Sequence, residues 1–133
     1  MHDPTLDPEQ TKSRTISLLA WRLAFCFCVM AVLVLALMPT DVPIPATGWD
    51  KSNHLLAFFV MALLGRRAYP GRTMAMLAGL LAYGALVEVL QSLTPDRSAE
   101  WQDLAADAIG LALGWWVDQL ARHMRRSRTG PQA

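Results

Sequence analysis

A chain of 133 residues is enough for one domain. Hydrophobic residues make up 53% of it and charged residues 17%, where a soluble domain carries about 25%. A net charge of +1, with no folded basic patch interleaved with aromatics, gives no support for nucleic acid as a partner, and none is expected.

The apolar residues fall in runs and not in alternation. This predicts an all-α, polytopic integral membrane protein. Residues 1–15 are polar, with mixed charge and Pro4 and Pro8, and predict a disordered surface tail. His2 is solvated in that reading.

The first predicted span is Ile16 to Met38, about 23 residues where about 20 cross a bilayer. Arg22 interrupts it near one end, from which its guanidinium can snorkel. A signal peptide is the rival, because Lys12 and Arg14 make a basic flank. The run is long for a signal, and Met38-Pro39-Thr40 is a poor cleavage site, so an uncleaved helix is expected. Cys26 and Cys28, two apart, point to nearly opposite sides of it. They read as small packing or lipid-facing residues.

Pro39 to Trp49 holds three prolines and a glycine and predicts an extended loop. Thr47 can cap the next helix, with Asp50 three residues on. The second predicted span is 50–68. From Asp50 to Gly65 it gives about 24 Å of helix, enough to cross with slight thinning. Asp50, Lys51 and His54 then occupy its first two turns. Arg66, Arg67 and Arg72, around Pro70-Gly71, form a basic turn.

The third predicted span is 73–93, with Gly79 and Gly84 as small surfaces for close contact. Thr94-Pro95-Asp96 then reads as a helix start. The fourth span is 101–120. Ala106, Gly110 and Gly114 form a stripe for packing against a neighbour. Trp49 and Trp101 read as interface anchors at one side, Trp115 and Trp116 at the other. Residues 122–133 are a basic tail, to which His123 belongs.

Basic residues cluster in the N-terminal tail, the 66–72 turn and the C-terminal tail. The positive-inside rule therefore puts both termini in the cytoplasm, with four transmembrane helices forming a 16–121 domain. The other two connections face outwards.

That topology gathers a polar set at the outer side. Helix two brings Asp50, Lys51 and His54; helix three brings Glu88 and Gln91; the loop brings Asp96 and Arg97; helix four brings Asp103 and Asp107. Ionisable groups in membrane helices are costly and are expected to face the bundle interior. Asp50 can belong to the pocket or simply cap helix two and pair with Lys51, and Lys51 can snorkel. His54 can shuttle protons or simply donate to a carboxylate. Glu88 lies roughly 8 Å from its helix end, and can be functional or paired with His54 or Arg97. Arg97 can bind an anion or neutralise the acids. His54, Glu88 and the aspartates could hold a metal, but no H-x-x-x-H or C-x-x-C spacing supports one, and no metal or cofactor is assigned.

These residues resemble a known family. D-K-x-x-H-x-x-A-F-F at Asp50–Phe59, E-x-x-Q at Glu88–Gln91, P-x-R at Pro95–Arg97 and D-x-x-x-D-x-x-G at Asp103–Gly110 are similar to the VanZ-like family over about residues 39 to 117. That family groups small multi-helix membrane proteins and is named for a protein linked to teicoplanin resistance. The resemblance implies that Asp50, Lys51, His54, Glu88, Gln91, Arg97, Asp103 and Asp107 are its polar signature. Many relatives have asparagine at Asp107 or a neighbour, so this chain departs there. It does not imply that the chain confers drug resistance.

The expected function is therefore that of a bacterial inner-membrane, cell-envelope protein with an outward-facing polar pocket. Its partners would be membrane lipids and a lipid-linked or envelope precursor group. One alternative is an enzyme on a lipid-linked substrate, with His54 and Glu88 as acid and base. Another is a structural or assembly protein whose polar network only locks its helices.

Overall fold

The computed structural model describes residues 7–38, 50–94 and 100–128. The backbone forms four helices: α1 (Pro8–Leu37), α2 (Asp50–Ala68), α3 (Thr73–Ser92) and α4 (Trp101–Arg128). Thr47, Trp49, Asp96 and Arg97, for which roles were expected, lie outside the described residues, as do the side chain of Asp50 and the loop at 39–49.

α1 starts at Pro8 and not at Ile16, so the second half of the expected tail is helical. The reason is local. The Asp7 carboxylate accepts the Glu9 amide at 3.1 Å, and proline occupies the first helical position. Glu9 then places negative charge at the positive helix end. Hydroxyls of Thr11 and Thr15 donate to carbonyls one turn back. The helix stops at Leu37, with Met38 extended (φ −64°, ψ 143°), as the residue before Pro39 must be.

α2 turns into α3 at Pro70-Gly71. Gly71 has φ 86°, and the Arg72 amide donates to the Tyr69 carbonyl at 3.2 Å, which makes a type II turn. α3 ends with the Thr94 hydroxyl donating to the Gln91 carbonyl at 2.7 Å. Thr94, expected to open the next helix, thus serves the end of α3. α4 runs past the expected end at 120 to Arg128, helped by an Arg122–Asp118 pair one turn apart at 2.8 Å.

α2 is central. It packs on all three other helices, most extensively on α4. The small-residue stripe makes that closeness possible. A Cβ on Gly110 would run into the Leu55 carbonyl and lie 3.0 Å from the Phe59 amide nitrogen. One on Gly114 would lie 2.7 Å from the Ala62 Cβ. Gly84 also marks a close approach, whereas Gly79, expected to do the same, has nothing within 4 Å of such a Cβ. Phe58, Met61, Ala62, Met76, Leu80 and Leu111 form the buried core, with Phe25, Val29 and Val32 of α1 against it.

The outer surface is apolar. Phe27 is 76% exposed, and Leu23, Met74, Ile109 and Trp116 are all exposed. Contiguous apolar surface on this scale needs a partner or an apolar solvent. α1 and α3 are long and apolar enough to cross a membrane. α2 and α4 carry more polar residues, several of which are buried inside the bundle: Arg66, Asp103, Asp107 and Asp118. Polar inside and apolar outside points to a membrane protein.

Candidate functional site

α2 and α4 both start at the same end of the bundle, where α3 finishes. This brings Lys51, His54, Glu88, Asp103 and Asp107 together from three helices. The link between the helices is direct: His54 Nδ1–H donates to Asp107 Oδ1 at 3.0 Å. Asp107 is completely buried and His54 nearly so. The bond holds the ring orientation and favours the tautomer with the proton on Nδ1.

The other oxygen, Asp107 Oδ2, turns to α3. It occupies the notch left by Gly84, where a Cβ would lie 2.5 Å from it. Among the described residues, Oδ2 has no hydrogen-bond partner.

Glu88 is 6% exposed. Its Oε2 accepts the Glu100 backbone amide at 3.0 Å, so the carboxylate anchors the chain just before α4. Its Oε1 is buried with no hydrogen-bond partner among the described residues. Asp103 is 5% exposed, and its Oδ1 is in the same condition; Lys51 Nζ stands 3.5 Å away, an ion-pair distance too long for a good hydrogen bond. The closer partner of Lys51 is Glu100, at 2.7 Å. One donor atom each from His54, Glu88 and Asp103 lies within 4.8 Å of the others, so this trio could hold a metal ion.

Two expectations separate here. His54 pairs by hydrogen bond with Asp107, while Glu88 stands beside the pair and bonds to backbone. Gln91 leaves the cluster: its Nε2 donates to the Ala36 carbonyl at 3.0 Å and ties the end of α3 to the end of α1. Glu100 is a member of the site that sequence reasoning missed. Its only signal was an acid one residue before the fourth span.

A second polar layer, also missed, lies at the opposite end. Buried Arg66 donates from Nε to Asp118 Oδ2 at 2.9 Å, and its Nη1 reaches Thr73 Oγ1 at 2.5 Å. Arg122 shares Asp118. The signal was Asp118 inside an apolar run. A concavity of about 740 Å³ opens there, beside Arg14, Trp21, Arg67 and Arg122. Arg67 stacks over the Trp21 ring at 5.0 Å, and Arg22 reaches the Ala68 carbonyl at 3.3 Å. Among the described residues the arginines thus gather at one end, around Asp118, while Glu88, Asp103 and Asp107 lie with His54 at the other.

A model of the VanZ/LLP1 family matches residues 12–122. The matched stretch contains every described residue of the His54–Asp107 cluster. No curated protein and no solved structure matches the chain.

Proposed function

The chain belongs to the VanZ/LLP1 family, and from that premise we propose that it is a four-span protein of the bacterial cytoplasmic membrane whose His54 end recognises a polar group of a lipid or envelope precursor. Both termini face the cytoplasm in this reading. Its support is the separation of charge: Arg14, Arg66, Arg67 and Arg122 line one end, which the positive-inside rule assigns to the cytoplasm.

The observation that carries the binding role is the convergence of His54, Glu88, Asp103 and Asp107, buried or nearly so, on the other end. Taking these groups out of water costs stability unless each is paired. Oxygens left without a partner at such a cost suit a ligand more than a scaffold. Arg97 would add a cation to the site, together with Lys51.

Native mass spectrometry of the full chain with phosphatidylglycerol, a polyprenyl phosphate and phosphatidylcholine tests this. Wild type should retain one lipid class selectively, and Lys51→Ala, His54→Ala and Arg97→Ala should lose that selectivity. Equal binding of all three lipids by wild type and variants overturns the reading.

The His54–Asp107 bond favours a second reading, an enzyme acting on a lipid-linked substrate. A histidine oriented by a buried carboxylate is the arrangement a general base needs. Glu88, within reach through one water, would be the second acid–base group. Turnover of a polyprenyl-linked substrate by wild type and its loss in His54→Gln would establish it.

A further inference from the structure

We propose that His54, Glu88 and Asp103 form a binding site for one first-row divalent cation, Zn²⁺ or Mn²⁺. The inference rests on reading this end of the bundle as a binding site, and it names what would make the site attractive to an anion.

The argument starts from charge. Glu88, Asp103 and Asp107 bring three carboxylates into a buried space. Lys51 offers one ammonium, 2.7 Å from Glu100 and 3.5 Å from Asp103, against these three carboxylates and that of Glu100. A cluster of this kind repels a phosphate and welcomes a cation.

The second observation is the state of individual atoms. Glu88 Oε1 and Asp103 Oδ1 are both shielded from solvent in side chains more than nine-tenths buried; among the described residues Glu88 Oε1 makes no hydrogen bond, and Asp103 Oδ1 has only the 3.5 Å ion-pair contact of Lys51. A proton shared between the two carboxylates is one way to satisfy these oxygens, and a cation is the other. Each residue presents a donor atom within 4.8 Å of a donor on the other and on His54. Donors around one ion at about 2.1 Å stand roughly 3–4 Å apart, so side-chain rotation alone can close the set.

The donor types narrow the ion. One imidazole and two carboxylates suit Zn²⁺ or Mn²⁺, whereas Ca²⁺ and Mg²⁺ prefer oxygens alone. His54 would ligate through Nε2, since Nδ1 faces Asp107. Asp107 then has the position of the carboxylate that orients a metal-bound histidine from behind. Gly84 gives that carboxylate its room. Three protein donors leave further coordination positions for water or for an oxygen of a phosphate group. The ion would in this way convert an acidic cluster into a receptor for an anionic headgroup.

The test uses the full chain in detergent, stripped with chelator, without lipid. Zn²⁺ is titrated in competition with a chromophoric chelator. One Zn²⁺ per chain is expected, with at least about tenfold weaker binding in Glu88→Gln and Asp103→Asn. Glu9→Gln, an acid at the other end, should bind as wild type. Absence of Zn²⁺ and Mn²⁺ binding by wild type, or wild-type affinity in both Glu88→Gln and Asp103→Asn, overturns the proposal. Should those variants fail to fold, the otherwise wild-type chain decides. Loaded with Mn²⁺, and with His2 and His123 replaced by asparagine, it should show imidazole nitrogen coupling in pulsed electron paramagnetic resonance; no such coupling overturns the site. Lipid selectivity is then measured with and without Zn²⁺. Selectivity unaffected by chelation overturns the bridging role. Tight metal binding without any lipid selectivity overturns the lipid reading alone.

Discussion

The carboxylate of Asp107 on α4 fills the volume that a side chain on Gly84 of α3 would take. A Cβ at position 84 would stand 2.5 Å from Asp107 Oδ2 and 3.1 Å from the Phe58 ring. The oxygen cannot swing away freely, because its twin is held by His54 at 3.0 Å. Gly84→Ala should therefore cost about 1–3 kcal/mol, as overpacking of a closed site does. Thermal unfolding in detergent measures this. An unchanged midpoint would show that the notch is looser than the geometry requires.

The His54–Asp107 pair makes an asymmetric prediction. His54→Ala leaves a completely buried carboxylate without its donor, and should destabilise by about 3 kcal/mol or more. Asp107→Asn keeps an oxygen acceptor of the same shape for the His54 N–H and removes the charge, so it should cost about 1 kcal/mol or less. Paired melting curves for the two variants decide it. Equal losses would mean that the hydrogen bond does not govern this part of the core.

Glycines that look alike in sequence should behave oppositely. Gly110→Ala drives a methyl group against the Leu55 carbonyl and the Phe59 amide nitrogen, which are backbone and cannot rotate out of the way. The α2–α4 interface must open, at a cost of about 2–3 kcal/mol. Gly79→Ala meets nothing within 4 Å, and should be neutral or stabilising by up to about 1 kcal/mol from helix propensity. Circular dichroism during thermal unfolding separates the pair.

The proposed orientation is open to direct labelling. In a Cys26→Ser/Cys28→Ser background, single cysteines are placed at exposed Gln102 and exposed Ser127. An impermeant maleimide should label position 102 in intact spheroplasts and position 127 only after lysis. Labelling of both from the same side would refute the topology.

Much of this was legible along the chain, for physical reasons. Apolar runs of bilayer length are read directly because a bilayer accepts few other patterns. The stripe of Ala106, Gly110 and Gly114 announced a close helix contact, since small residues at a four-residue spacing share one face. Lys51, His54, Glu88, Asp103 and Asp107 stood out because burying them is costly.

Helix ends were less legible. The Asp7 cap starts α1 at Pro8, because helix propensity and capping extend a helix whatever its polarity. The pairings were not legible at all. Glu88 and Asp107 are both acids expected in the same half of the bundle. Which one takes the His54 proton depends on how α2 and α4 are rotated and offset against each other, and Gly110 and Gly114 set this by letting α2 backbone approach. Gln91 went to the Ala36 carbonyl for a similar reason: its place on α3 faces α1. Arg66 and Asp118, 52 residues apart, were joined by the same packing. Residue order alone was enough for the family, the all-helical architecture and most of the polar residues that gather at one end. Which polar atoms find partners emerged only from the packed helices, because hydrogen bonding depends on distances that helix packing sets.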